Sequence, residues 1–179
     1  CSTSITLLMN NSLQEYLNFA NKLADAAGNT SMEYFRTSLS IDNKSDESPV
    51  TIADKNTELK IRSMIEKEYP NHGILGEEFD SLNSDAEFIW VIDPIDGTRS
   101  YIAGHKDFGN LISLTQNKKP IVGIINCPAH KERWVGVKNL NSTINQKPAK
   151  SSNVTNIENA YLFTSGLYFD EPHLRSAVE

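Results

Sequence analysis

One stretch constrains this chain more than any other: an apolar run over residues 88–92 that ends in Asp93-Pro94-Ile95-Asp96. The run is rich in β-branched and aromatic residues and has no polar helical face, so it predicts a short buried strand. Pro94 has no amide hydrogen and cannot sit inside a central ladder, so we expect the strand to stop at Asp93. Two carboxylates at the mouth of a buried strand are costly unless a cation neutralises them. The stretch therefore predicts a hard-metal site, with Asp93 and Asp96 on a loop at the strand's end.

A second acidic segment supplies a further candidate ligand. Residues 73–78 are an apolar piece that ends in two acids, and its Glu77 could meet Asp93, Asp96 and the backbone carbonyl of Ile95 in one site. Carboxylate and carbonyl oxygens favour Mg²⁺, Mn²⁺ or Ca²⁺, and the absence of Cys/His clusters in the sequence argues against zinc. We therefore expect a Mg²⁺ site, with Mn²⁺ as a substitute, where the two segments meet.

The residues directly after the acidic pair suit phosphate. Gly97 and Thr98 offer backbone amides beside Asp96, where phosphate oxygens would bind. Thr98 could hydrogen-bond an attacking water, with Glu77 accepting the proton, while a divalent cation polarises the phosphoryl group and lowers the pKa of that water. Phosphate monoester hydrolysis demands such help, because it is among the slowest uncatalysed reactions. We predict a phosphatase in which Glu77 and Thr98 are catalytic and Asp96, Gly97 and Thr98 hold the phosphate.

Other interpretations of the acidic pair are open. Asp93 and Asp96 could be loop caps, because Asp is common wherever strands end, although the combined pattern with Gly76-Glu77-Glu78 is too specific for that reading. A haloacid-dehalogenase-type phosphatase needs Asp-x-Asp-x-Thr with a nucleophilic Asp, whereas the spacing here is Asp93-x-x-Asp96-x-Thr98. A non-catalytic module that binds metal or phosphate is a third alternative.

Composition bounds the remaining function classes. The chain has 179 residues, enough for one domain with a sizeable core. Its net charge of −6 argues against binding to nucleic-acid polymers or anionic membranes. No apolar run in the sequence is long enough to span a membrane. The cysteines, Cys1 and Cys127, do not make a disulfide framework, so a reducing compartment, the cytoplasm, is expected.

Hydrophobic spacing orders the chain as two helices followed by a meander of strands, an α+β arrangement. Apolar residues at steps of three and four predict a helix over residues 12–27, with Ser12 as its N-cap. Thr51 and Asp54 resemble a capping box that opens a second helix, which should end before Pro70. Alternating or β-branched runs predict further strands at 111–115, 121–126, 132–138 and 160–164.

Other segments are less regular. Residues 39–48 are polar and rich in turn formers, which predicts a loop. His72 stands in a turn beside glycine and is expected to be an exposed polar residue. Residues 1–8 look like upstream or tag-like sequence, so we expect a domain over residues 9–179. Residues 171–179 have a proline near a helix start and then stop, which favours a fragment of a longer chain.

With these motifs the chain resembles the inositol monophosphatase family of lithium-sensitive, magnesium-dependent phosphatases. The likeness is carried by Gly76-Glu77-Glu78, by Trp-Val-Ile-Asp-Pro-Ile-Asp-Gly-Thr at residues 90–98 and by Pro49-Val50-Thr51-x-x-Asp54, and it runs from about Ser12 to the end. It implies a layered α/β sandwich, usually dimeric, in which two N-terminal helices pack on a largely antiparallel sheet. It also implies metal ligands at Glu77, Asp93, the Ile95 carbonyl and Asp96. Thr98 with Glu77 would activate water, and the amides of Gly97 and Thr98 would hold the phosphate.

The resemblance implies a small phosphorylated metabolite as substrate. Arg99-Ser100-Tyr101-Ile102 looks most like the histidinol-phosphatase-type branch, since the inositol enzymes more often have Asn at Ser100. Histidinol phosphate, inositol monophosphate and nucleotide or sugar bisphosphates all remain candidate substrates.

One family motif is absent from this sequence. The family supplies a further metal-binding Asp in a Trp-Asp-x-x-Ala motif, but Trp90 and Trp134 are each followed by Val. We therefore expect that the C-terminal half of the fold is missing and that this chain alone is inactive and binds metal weakly. The complete protein is expected to be an active homodimeric phosphatase.

Overall fold

Two helices precede a seven-stranded sheet in the computed structural model, which describes the backbone of residues 2–38, 41–43 and 49–161 and the side chains of residues 12–38 and 51–161. The elements are α1 Ser2–Tyr34, β1 Ile41–Asn43, β2 Pro49–Thr51, α2 Ile52–Glu68, β3 Gly73–Leu75, β4 Phe88–Asp96, α3 Thr98–Ile102, β5 Gly109–Gln116, β6 Lys119–Cys127, β7 Glu132–Val137, β8 Thr143–Ile144 and β9 Lys147–Pro148. The large sheet runs in the order β3 to β9, with β3 parallel to β4 and every later pair antiparallel. The predicted α+β class, two N-terminal helices on a largely antiparallel sheet, is confirmed.

The core lies between one face of the sheet and the inner faces of α1 and α2. Trp90 is fully buried at its centre and meets Phe19 of α1 edge-on at 5.5 Å between ring centroids. Burying a large apolar side chain contributes roughly 1.5–3 kcal/mol, so such a cluster can hold both helices on the sheet. The buried cluster comprises Phe19, Ala20, Leu23, Ala24, Ala27, Ile61, Ile65, Ile74, Trp90, Ile92, Ile112, Leu114, Ile121, Val122 and Ile124.

The first helix is longer than its apolar spacing predicts. The backbone is helical from Ser2 to Tyr34, so the predicted N-cap at Ser12 is wrong. No Gly or Pro occurs between Ser2 and Ala27, and nothing in the local sequence therefore ends the helix there. None of the described helices combines the length and hydrophobicity that a membrane crossing needs.

The second helix begins as predicted. Thr51 is its N-cap, and a capping box with Asp54 is present. The Asp54 carboxylate accepts a hydrogen bond from the Thr51 backbone N–H at 2.8 Å, while the Thr51 hydroxyl oxygen accepts one from the Ala53 N–H at 3.1 Å. The helix ends at Glu68, ahead of Pro70, because proline disfavours helical backbone in the residue before it.

The strand that carries the acidic pair does not stop at Asp93. β4 continues to Asp96, with a register irregularity between Asp93 and Asp96. Pro94 lies within that irregularity, where no ladder hydrogen bond from its nitrogen is required. The sequence-based boundary was therefore wrong: Asp93 and Asp96 belong to a bulged strand end rather than to a loop.

The segments between and after these elements agree only partly with expectation. Part of the predicted loop at 39–48 is a strand, since Ile41–Asn43 pairs antiparallel with Pro49–Thr51; residues 39, 40 and 44–48 lie outside the described part. The predicted strand at 160–164 is not formed at Ala160 and Tyr161, and its remaining residues, like the predicted C-terminal helix, also lie outside that part. The chain divides into two compact units between Ala149 and Lys150. The described part of the second unit holds a short 3-10 helix, Ile157–Asn159.

His72 is not the exposed turn residue that the sequence predicts. Its ring is half-buried and stacks on Tyr69 at 4.6 Å and on Phe88 at 5.0 Å between centroids. Its Nδ1 accepts a hydrogen bond from the indole N–H of Trp90 at 3.2 Å, which requires that nitrogen to be unprotonated. Burial lowers the pKa of His72, with an opposing contribution from Glu87.

This environment predicts a pH-dependent stability. The side chain of histidine in an unfolded chain has a pKa of about 6.5. Burial keeps His72 of the folded protein neutral down to a lower pH. Below the unfolded pKa the unfolded chain binds more protons, so the free energy of unfolding should fall as the pH decreases from 7.5 to 5. Thermal denaturation of His72→Leu should show a shallower decrease over this range than the wild type. Substitution of the exposed His105 is the control, and an unchanged slope in His72→Leu would contradict the assignment.

Candidate active site

Glu77 and Asp93 meet because they end neighbouring parallel strands. Leu75 of β3 pairs with Val91 of β4, so the turn after β3 and the end of β4 lie at the same edge of the sheet. Glu77 stands in that turn, and its carboxyl group is in hydrogen-bond contact with that of Asp93. Two of the predicted ligands, 16 positions apart in the sequence, therefore share one site.

Asp96 joins them because of the bulge. Asp93 pairs with Leu111 and Asp96 with Gly109. Leu111 and Gly109 are two residues apart on β5, so they and their partners lie on one face of the sheet. Residues three apart on a regular strand would point to opposite faces. The bulge therefore brings both carboxylates to a common side.

Asp93 is the most perturbed acid of the site. Burial, the hydrogen bond and charge of Glu77 and the charge of Asp96 together raise the pKa of Asp93 to about 8. One carboxyl oxygen, Oδ1, is buried and has no hydrogen-bond partner. A buried carboxyl group with an unpaired oxygen, close to two further acids, is the environment that a bound cation would relieve.

The donor set fits a hard divalent cation. The acids around Asp93 are Glu77 and Asp96, and carboxylate oxygens suit Mg²⁺ and Mn²⁺. Among the described residues, no group of three His, Cys, Asp or Glu side chains is already disposed to hold a metal ion. The predicted ligand set adds the Ile95 carbonyl to the carboxylates. That carbonyl accepts a hydrogen bond from the Thr98 hydroxyl at 3.0 Å.

The predicted phosphate-binding pair forms a sharp turn. Gly97 has a φ of 86°, in the left-handed region, and a Cβ there would lie 2.9 Å from the Asp107 carbonyl oxygen. Only glycine fits both constraints easily. Thr98 follows as the first residue of α3. The turn thus fixes the Thr98 backbone directly beside Asp96, as the predicted roles require.

Sequence reasoning missed Asp54 as a member of this site. Its carboxylate is buried and accepts a hydrogen bond from the Thr98 hydroxyl at 3.4 Å, besides those from Thr51. Burial raises the pKa of Asp54, and its hydrogen bonds with Thr51 and Thr98 oppose that rise. The capping box accounted for this residue locally, so no local signal pointed to a second contact 44 residues away.

Glu58 was also missed, although it holds the loop that carries Glu77. Its fully buried carboxylate accepts hydrogen bonds from the backbone N–H groups of Glu77 at 3.0 Å and Glu78 at 2.8 Å. Arg62, one helical turn later, pairs with the other oxygen at 2.7 Å and donates to the Phe79 carbonyl at 3.0 Å. The acid–base pair at a spacing of four was the available signal. Gly76 is needed because a Cβ there would collide with the Glu58 carboxylate.

Comparison with known proteins identifies the family. Residues 12–177 match the sequence model of the Inositol monophosphatase family. The chain belongs to this family. It is 39% identical over 171 residues to the bifunctional phosphatase IMPL2, chloroplastic, of Arabidopsis thaliana. This alignment covers 94% of this chain and 48% of that relative. It is 38% identical to the histidinol-phosphatase of Chlorobaculum parvum, over 91% of this chain and 64% of that protein.

Solved structures agree with the fold. An inositol monophosphatase from Zymomonas mobilis is 44% identical, with a TM-score of 0.66, over 78% of this chain and 53% of that structure. One from Anabaena is 36% identical with a TM-score of 0.69, over 80% of this chain and 52% of that structure. The chain thus spans about half the length of the relatives it matches. The resemblance drawn from the two motifs is confirmed, while the roles of individual site residues stay predictions.

The contact between Gly76 and Glu58 generates a stability prediction. In Gly76→Ala the new methyl group must displace the Glu58 carboxylate or the loop that it holds. Overpacking of this kind costs roughly 1–3 kcal/mol, and we expect such a loss in urea denaturation. Gly123→Ala is the matched control, because nothing lies within 4 Å of a Cβ at Gly123. Equal stabilities of the two variants would contradict the packing role of Gly76.

Proposed function

We propose that the intact protein is a Mg²⁺-dependent phosphate monoester hydrolase. The metal would be held by Glu77, Asp93, Asp96 and the Ile95 carbonyl, with Mn²⁺ as a substitute. The supporting observation is the half-buried Asp93, with one buried, unpaired oxygen and two acidic neighbours. Membership of the inositol monophosphatase family supports the same conclusion.

In the proposed mechanism, Thr98 and Asp54 orient the nucleophile. A divalent cation, when bound, would polarise the phosphoryl group and lower the pKa of the attacking water. The Thr98 hydroxyl can donate to the Ile95 carbonyl at 3.0 Å or to Asp54 at 3.4 Å, so its oxygen is available to accept a hydrogen bond from water. We infer that the Thr98 hydroxyl orients the water, accepts a proton from it and passes its own proton to Asp54, with Glu77 as the alternative proton acceptor. The amides of Gly97 and Thr98, beside Asp96, would hold the phosphate.

Histidinol phosphate is the substrate that we propose, with inositol monophosphate as the alternative. Proteins named histidinol-phosphatase from three bacteria are 37–38% identical to this chain. Relatives named inositol monophosphatase from Solanum lycopersicum are 30% identical, but the Zymomonas mobilis inositol monophosphatase reaches 44%. A panel of histidinol phosphate, inositol monophosphate and fructose 1,6-bisphosphate, assayed for phosphate release by the intact protein, tests the order. Higher kcat/KM for inositol monophosphate would reverse our choice, and no release with any substrate would refute the activity.

We further propose that the intact protein acts as a cytoplasmic homodimer on a soluble metabolite. The free thiol of Cys127 suits a reducing compartment. The dimer is proposed from the family resemblance, and light scattering of the intact protein would test it.

The role of Thr98 predicts a specific kinetic defect. Thr98→Val keeps the shape of the side chain but removes the hydroxyl. Loss of a group that orients and deprotonates a nucleophile typically costs 10²–10⁴-fold, so we expect kcat to fall roughly 100-fold with KM little changed. Thr115→Val is the matched control, because the Thr115 hydroxyl donates to the Ile89 carbonyl at 3.2 Å within the sheet. A kcat within a factor of about two of the wild type would exclude the proposed role.

The proposed metal site predicts opposite effects of one substitution. Asp93→Asn removes a buried acid beside Glu77 and Asp96, so in a chelator the melting temperature should rise. In millimolar Mg²⁺ the wild type should gain stability through ligand binding, whereas Asp93→Asn should gain little. Asp85→Asn, an exposed acid outside the site, should behave as the wild type. If calorimetry gave the same Mg²⁺ affinity for Asp93→Asn and the wild type, the ligand assignment would be wrong.

A further inference from the structure

Asn110 stands opposite the bulge that arranges the acidic residues. Asp93 pairs with Leu111 and Asp96 with Gly109, which leaves Pro94 and Ile95 across from the single residue Asn110. Two residues opposite one define a β-bulge. The Asn110 side chain is fully buried, and its amide nitrogen donates to the Pro94 carbonyl at 2.7 Å. A side chain thus binds the extra residue where the ladder is interrupted.

The orientation of the Asn110 amide is fixed by its neighbours. Its oxygen accepts a hydrogen bond from the amide of Asn126 at 2.9 Å, and its nitrogen also reaches the Ser31 hydroxyl of α1 at 3.3 Å. Asn126 in turn donates to the Ala24 carbonyl at 3.2 Å and accepts from Arg133 at 3.0 Å. With its oxygen engaged by a donor, Asn110 presents N–H to the Pro94 carbonyl.

The turn that follows the acids is tied to the same helix. The Tyr101 hydroxyl donates to the Ser31 carbonyl at 2.6 Å, and the Tyr101 side chain is buried. The segment from Asp93 to Tyr101 is therefore anchored to α1 at both ends, through Asn110 at the bulge and through Tyr101 in α3. A buried polar network needs all of its partners satisfied to be tolerated, which makes it sensitive to the loss of one member.

We propose that Asn110 is a positioning residue for the metal site. By holding the Pro94 carbonyl, Asn110 keeps the extra residue in β4, and the extra residue keeps Asp93 and Asp96 on one face. Without that bond the strand can return to regular pairing, which would point the two carboxylates to opposite faces. This proposal rests on the proposed metal site and adds a residue that touches neither metal nor substrate.

The test compares two buried asparagines of one network in the intact protein. Asn110→Ala removes the bond to Pro94, whereas Asn126→Ala leaves that bond in place, because the Pro94 carbonyl and the Ser31 hydroxyl oxygen still orient the Asn110 amide. Both variants should lose stability in urea denaturation. Calorimetric titration with Mg²⁺ should show at least tenfold weaker binding for Asn110→Ala than for Asn126→Ala. The Mg²⁺ concentration that gives half-maximal activity should rise in parallel. The substrate KM at saturating Mg²⁺ should be unchanged. If Asn110→Ala does not fold, Asn110→Ser keeps a partner for Asn126, falls short of Pro94 and should show the same loss of Mg²⁺ affinity.

The outcomes separate this proposal from the proposed function. Equal Mg²⁺ affinities in the two variants, with a wild type that binds Mg²⁺ and hydrolyses phosphate esters, would overturn the positioning role alone. A wild type that neither binds Mg²⁺ nor hydrolyses any phosphate ester would overturn both. Weaker Mg²⁺ binding confined to substitutions at Asn110 would support the positioning role whatever the preferred substrate.

Discussion

The candidate site depends on the partial burial of one carboxyl group, that of Asp93. Asp93 lies at the end of a core strand with Glu77 and Asp96 beside it, and one of its oxygens has no partner. Gathering acids in a partly buried place costs free energy, and hydrophobic packing cannot return it, because packing gains nothing from the charge. The arrangement is unfavourable for stability alone. It is the kind of environment that the proposed cation would relieve.

Two buried polar side chains, Glu58 and Asn110, hold the backbone next to these acids. Glu58 holds the loop of Glu77 through two backbone N–H groups, and its own charge is balanced by Arg62. Asn110 holds the bulge of β4 by donating to the Pro94 carbonyl. Buried charges and amides of this kind rarely improve stability over well-packed apolar residues. Their benefit is geometric, because each fixes a backbone atom next to a residue of the site.

Local signals in the sequence were sufficient for the second helix and for the two acidic motifs. The capping box at Thr51 and Asp54 and the apolar spacing of α2 act over a few residues, so they can be read without the fold. The bulge at Pro94 could not be predicted this way, because its stabilising bond comes from Asn110 on another strand. The partial burial of His72 could not be predicted for the same reason, since most of its contacts, including Phe88 and the Trp90 indole, come from other elements of the fold. Asp54 had already been given a local role, which concealed its contact with Thr98.

The spacing of the acids gains a physical meaning from the strand. An Asp-x-Asp pair would place both carboxylates on one face of a regular strand, because side chains alternate with a period of two. The Asp-x-x-Asp of this chain would place them on opposite faces, unless one residue of the spacer is taken out of the alternation. Pro94 suits that position because it has no N–H to leave unpaired, and the Asn110 amide satisfies its carbonyl. The extra residue also brings the Ile95 backbone N–H to Asp93 and its carbonyl to the Thr98 hydroxyl, so the bulge connects the acidic pair to the turn that follows it.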